Sequence, residues 1–426
     1  MRVRRTMVPL VLAASVAACG DDPSGPGGVE AITELPRALT AAETEVIAGS
    51  NAFAFGLLRE ARAERGEAST FVSPLSVSMA LGMTMNGAAG ESWTQMRDAL
   101  GFQGMEEPAI NRAYRDLIDL LTGLDPSVEM ALANSVWSDA SRVALLPDFI
   151  QRVETWFGAQ AATLDFSDPD SKDVINGWVD GATNGRIEDL LDVIPASAVA
   201  YLVNAVYFLG DWRTAFEPGN TRSGPFTRAD GSTVTVRYMS DNVGYRGLNV
   251  GTPDAPQGVE LPYGGGAFTA VAVLPPAGQG IDELVAGLDV ATWETWMAAF
   301  DAAADGENLD DAGFLVELPR FELDWKADLK EPLRAMGMEA PFLGGVADFS
   351  RMNGERDLFI SRVIHQTFVK VDEAGTEAAA ATAVEMRETT APADPPRITF
   401  DRPFLFAIRE RYSGTILFLG VVGDPA

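Results

Sequence analysis

Residues 365–426 read HQTFVKVDEAGTEAAAATAVEMRETTAPADPPRITFDRPFLFAIRERYSGTILFLGVVGDPA, and conflicting local patterns follow one another along them. The segment TEAAAATAVEMRE at 376–388 is dense in Ala and Glu, so intrinsic propensity alone predicts a surface helix there. The run TILFLGVVG at 415–423 is aliphatic and aromatic and ends on glycine. It reads as a strand buried on both faces. Between them Pro392, Pro395 and Pro396 interrupt regular structure and make the connecting limb long.

Working outward, residues 46–63, VIAGSNAFAFGLLREARA, place apolar side chains at helical spacing. Ser73-Pro74 opens a second helical stretch, SPLSVSMALGMTMNGAAG, which ends at glycine. The runs YLVNAVYFLG at 201–210, FTAVAVLP at 268–275 and FLVELPRFEL at 314–323 read as strands. A chain of 426 residues suggests two or three domains by length. From Val46 onward, however, no Pro/Gly/Ser linker separates two cores and no internal repeat is visible. Helices first and mixed elements afterwards predict one α+β domain over residues 46–426.

Composition removes several function classes. Acidic residues outnumber basic ones 61 to 32, a formal charge of −29, and a field of that sign repels nucleic acids and other polyanions. One histidine, His365, and one cysteine, Cys19, cannot build a Cys/His zinc site or an internal disulfide. No P-loop and no G-x-S-x-G elbow is present. The loop DAAADGENLDDAG at 301–313 has the acidity of a calcium loop but not its spacing, because Ala303 and Ala312 stand where oxygen ligands are required. The chain is therefore expected to hold no metal or cofactor.

The first residues, MRVRRTMVPLVLAASVAAC, combine three arginines, an apolar run too short to span a bilayer and small residues before a cysteine. Residues 1–18 read as a signal peptide. The tetrad Val16, Ala17, Ala18, Cys19 resembles the lipobox of bacterial lipoproteins, in which the cysteine carries the lipid; an ordinary cleavage site with an incidental Cys19 is the alternative. GDDPSGPGG at 20–28 suits a flexible tether, extended here to residues 19–45. The expectation is an exported protein held at the cell envelope, outer membrane or cell surface by Cys19, or released outside.

Three long stretches resemble the serpin family: FVSPLSVSMALGMTMNGAAGES at 71–92, YLVNAVYFLGDWRTAF at 201–216, and the tail quoted above, where HQTFVKVDEAGTEAAAATAVEM precedes FDRPFLFAIRERYSGTILFLGVVGDP. WVDGATNGRIEDLL at 178–191, VELPYGGGAFTAVAVLPP at 259–276 and LPRFELDWKADLKEPLRAMGM at 318–338 add to it. The resemblance implies the serpin fold, with three β-sheets, about nine helices and an exposed reactive-centre loop. A protease cleaves this bait, becomes acylated, and is carried off as the loop inserts into the large sheet A.

The resemblance also assigns residues. Glu373, Gly375, Thr376, Glu377, Ala378, Ala379 and Ala380 match the hinge. Ser73, Ser76, Asn204 and His365 match a hydrogen-bonded shutter beneath the opening strands, and Trp212 matches the tryptophan of the breach. A segment entering a sheet sends alternate side chains to opposite faces. Thr376, Ala378, Ala380, Thr382, Val384 and Met386 are uncharged, whereas Glu377, Glu385 and Arg387 keep all the charge on the other face. Sixteen positions beyond the hinge Glu373 the scissile bond falls at Thr389–Thr390; a shorter loop moves it to Arg387–Glu388. Thr389 fits elastase-like or subtilisin-like proteases, Arg387 trypsin-like ones.

The expected partners are serine proteases, met by a monomer and not by an enzyme. Around Asn111–Leu121 the only bases are Arg112 and Arg115, against Asp116 and Asp119, so no glycosaminoglycan activator is implied. The competing function is a non-inhibitory serpin acting as a binding protein, opposed by the small, uncharged inward set from Thr376 to Val384. A Ser-His hydrolase built on His365 lacks an orienting carboxylate.

Overall fold

The first helix is set by its cap. Thr40 Oγ1 accepts from the Glu43 amide at 3.2 Å while the Glu43 carboxylate accepts from the Thr40 amide at 2.7 Å, a reciprocal box that starts α1 (Ala41–Arg65). Gly66, at φ 61°, ends it in the left-handed conformation. The folded body thus begins ahead of Val46, because the polar first turn is held by capping and not by apolar periodicity. The computed structural model describes residues 29–242, 246–304, 313–376 and 395–426. Part of the expected 19–45 tether is therefore structured: Ile32 N donates to Gly265 O at 2.9 Å, and Arg37 pairs with the buried Glu43. Residues 1–28, with Cys19, lie outside the described residues.

Helix α2 (Pro74–Met85) is capped by Ser73, carries proline in its first turn, and is buried nearly all round, as a helix at the centre of a core must be. Around it stand α3 (Gly90–Ala99), α4 (Glu107–Gly123), α5 (Pro147–Phe157), α6 (Asp170–Ala182), α7 (Ile281–Ala286), α8 (Val290–Ala304), α9 (Lys330–Ala335) and the single turn α10 (Ser350–Asn353). The described residues thus contain ten helices and three sheets in a mixed α+β arrangement.

One sheet, in spatial order, is β1 (Thr70–Val72), β16 (Ile416–Val422), β15 (Phe404–Glu410), β9 (Phe268–Leu274), β8 (Gln257–Pro262) and β7 (Arg246–Leu248). Its central strands are buried on both faces, which is why they read as continuous apolar runs. A smaller sheet runs β14 (Arg397–Thr399), β10 (Leu315–Pro319), β6 (Thr233–Asp241) and β5 (Arg222–Thr227). The run FLVELPRFEL is not one strand but two: it breaks at Arg320, with β10 in this sheet and β11 (Phe321–Asp328) in the next.

The remaining sheet, sheet A, is ordered β11, β12 (Ile364–Val371), β13 (Gly375–Thr376), β4 (Ala200–Asp211), β2 (Val128–Asp139) and β3 (Gln160–Leu164). Helix α2 lies against β4 on one face and α6 packs on β2 and β4 from the other, over a cluster around Trp137, Ile175 and Val179. Strand β13 is antiparallel to both neighbours, pairing Thr376 with Val371 and with Gly210. Among the described residues β12 and β4 share no ladder of their own, so only two residues lie between them along the sheet.

Candidate functional site

The two-residue strand exists because its glycine is bare. A Cβ on Gly375 would strike Gly210 O and come within 2.7 Å of Asp211 Cα, so the chain could not enter between β12 and β4 with any other residue there. Thr376 follows with its side chain inward, 2% exposed, its hydroxyl 2.6 Å from Tyr263 Oη. Tyr263 in turn stacks on Trp212, ring centroids 4.4 Å apart and planes 15° from parallel. Trp212 holds the turn ahead of the strand: its indole Nε1 donates to Asp372 O at 2.9 Å and its amide to Ala374 O at 2.8 Å.

Glu373 is buried at the same place. Its carboxylate pairs with Arg320 and accepts from the Thr221 hydroxyl, while its carbonyl accepts from Phe216 N at 2.9 Å. Burial alone would push this carboxyl up, but Arg320 and Thr221 outweigh it and hold it below the ordinary range. Asp211 shows the opposite balance, raised by burial and then by the facing Asp372. Arg320 sits here because it is the break between β10 and β11, which brings a cation from the chain's sheet switch to the mouth of sheet A.

Farther down sheet A, His365 on β12 is buried and its Nε2 accepts from the Ser73 amide at 3.0 Å. Burial pushes its pKa down to about 3, so the ring is neutral. Ser73 Oγ donates to Leu417 O at 2.8 Å and accepts from Ser76 N at 3.3 Å. The hydroxyl that a hydrolase would need is therefore not directed at the imidazole. Nor does Asn204 join this cluster as the shutter expectation required. It stands opposite Asn134 in the β2–β4 ladder and donates to Asn134 Oδ1 at 2.7 Å, while its own Oδ1 is buried without a partner.

The structure thus brings Glu373, Gly375, Thr376 and Trp212 together, joins Ser73, Ser76 and His365, and sets Asn204 apart. Glu377, Ala378, Ala379, Ala380, Arg387, Glu388, Thr389 and Thr390 lie outside the described residues. Sequence reasoning missed Tyr263, Arg320, Thr221 and Asn134. Tyr263 carried a signal, an aromatic directly before the three glycines of PYGGG, whereas the other three are placed only by tertiary structure. Of the stretch expected as an acidic loop, residues 301–304 instead finish α8, where Asp301 pairs with Arg246 and Arg411 at 3.2 Å, and residues 305–312 lie outside the described residues. No group of His, Cys, Asp and Glu able to hold a metal occurs among the described residues.

A family model described as serpin (serine protease inhibitor) matches residues 48–425. Leukocyte elastase inhibitor of Bos taurus is 33% identical over 390 residues, 89% of this chain and all of the relative, and neuroserpin of Rattus norvegicus is 30% identical over 372 residues, 85% and 88%. Among solved structures, the native state of the thermophilic serpin Tengpin superposes with a TM-score of 0.77 at 27% identity, covering 93% of this chain and 97% of that one. Human thyroxine-binding globulin complexed with thyroxine gives 0.79 at 27% identity, covering 91% and 100%.

Proposed function

Because this chain belongs to the serpin family of serine protease inhibitors, we propose that it is a single-use trap for serine proteases of the elastase-like or subtilisin-like class. The protease serine attacks the Thr389 carbonyl, the Thr390 amine leaves, and the acyl ester joins enzyme to loop. The freed hinge then continues β13 down sheet A and carries the acylated enzyme with it. What supports this reading is the position of Gly375-Thr376, already laddered between β12 and β4, with the rest of those two edges sharing no ladder among the described residues. Ten further residues would add on the order of ten backbone hydrogen bonds at about 0.5–1.5 kcal/mol each, plus side-chain burial, so roughly 10 kcal/mol is available to distort the captured enzyme.

The likeness to thyroxine-binding globulin favours a second reading, a binding protein that traps nothing. Incubation with an elastase-like protease separates the two. A covalent complex that survives boiling in detergent, with release of a C-terminal peptide beginning at Thr390, is expected. Clean turnover of the chain as a substrate would leave the binding role, and a peptide beginning at Glu388 with trypsin as the better-inhibited enzyme would move the scissile bond to Arg387.

We also propose that residues 1–18 are removed and that Cys19 carries a lipid at the cell envelope, on the strength of the VAAC tetrad and the Gly/Pro-rich residues behind it. Wild-type protein should sediment with membranes and Cys19→Ser should be soluble after export. Equal solubility of the two would end the anchor.

A further inference from the structure

The chain enters the fold beside the place where the bait leaves it. Ile32 N donates to Gly265 O at 2.9 Å, and the Tyr412 hydroxyl donates to Ile32 O. A Cβ on Gly265 would come within 2.9 Å of Ile32 Cδ1 and 3.0 Å of Glu30 O, so a bare backbone is what lets residues 30–32 lie this close. The turn beneath them is fixed from the other side: Gly265 N donates to Asp125 Oδ2 at 2.8 Å and to Ser127 Oγ at 3.1 Å, and Gly264 N to Asp211 O at 3.0 Å. That same turn begins at Tyr263, whose hydroxyl meets Thr376, the last described residue before the bait.

Ten residues, Gly20 to Val29, separate Cys19 from Glu30. The eleven steps from Cys19 to Glu30 can reach at most about 40 Å. A compact chain of this size is about 55 Å across. The tether is shorter than the body it holds, and it attaches at one pole.

We infer that the lipidated protein stands with its hinge pole toward the membrane and offers its bait to serine proteases working at that same membrane surface. This orientation rests on the reading of Cys19 as the lipid anchor. Continuation of β13 runs from Val371 toward Ile364 on β12 and from Gly210 toward Ala200 on β4, so insertion moves a trapped enzyme from the membrane-facing pole to the opposite one.

The lipid consumes the sulfur of the only cysteine, so an introduced cysteine is the single free thiol. Ser223, exposed on β5 two residues after the Thr221 that binds Glu373, reports the hinge pole, and Ser197, exposed just before β4 begins, reports the far one. Lipidated Ser223→Cys and Ser197→Cys proteins, each carrying a donor fluorophore, are floated with vesicles whose headgroups carry an acceptor. Energy transfer several-fold stronger from position 223 is expected, and twenty Gly/Ser residues inserted between Gly28 and Val29 should erase most of that difference. Equal or stronger transfer from position 197, or a difference that the insertion leaves unchanged, overturns the orientation while the anchor stands. Failure of both proteins to float with the vesicles removes the anchor itself, and the orientation with it.

Discussion

At the scale of single residues, His365 shows how a generic side chain acquires a definite task. Its neutral ring is what leaves Nε2 free to accept from the buried Ser73 amide, since a protonated imidazole has no acceptor to offer. The unfolded imidazole takes up a proton near pH 6.5, the folded one only near 3, so the unfolded state binds more protons in that interval. The contribution of this one group is therefore fully present above about pH 6.5 and is lost progressively as the pH falls towards the folded value. Urea midpoints of wild type and His365→Gln between pH 7 and 4 should diverge as the pH falls, with the glutamine variant losing less; parallel curves would contradict the buried neutral ring. The histidine and both serines were legible from the resemblance, but the pairing of Asn204 was not. Which residue stands across a ladder depends on register, and Asn134 lies seventy positions away.

At the scale of elements, local preference and final structure part company at the hinge. Residues 376–388 favour a helix by composition, yet Gly375-Thr376 is already strand, because two preformed edges and the Tyr263 hydroxyl receive it. Thr376→Arg would drive a guanidinium into a place where the threonine is fully enclosed, at a cost of several kcal/mol. The variant should be cut by the target protease and released, with little covalent complex; an unchanged ratio of complex to cleaved inhibitor would remove hinge insertion from the mechanism. The main helices and strands were readable because their burial leaves a period in the sequence. Two features were not: the start of α1, which depends on a cap between Thr40 and Glu43, and the division of FLVELPRFEL at Arg320 between two sheets, where the apolar pattern continues while the chain changes direction.

At the scale of the whole molecule, the order of the chain and the order of its core are reversed. Strand β16, from the last eleven residues, lies between β1 and β15, and its Leu417 carbonyl receives the Ser73 hydroxyl across 344 positions of sequence. A chain ending at Ser413 should therefore stay unfolded and protease-sensitive, although it keeps Ser73, Ser76, His365 and the Glu373–Thr376 segment; a cooperative melt from that fragment would contradict this. Contacts so distant in sequence close slowly, since loop entropy must be overcome before they form. Under the export we propose for this chain, the delay would have a use: a core that needs its final strand leaves the polypeptide threadable while it is being made and moved, and lets it become an armed device only on the far side.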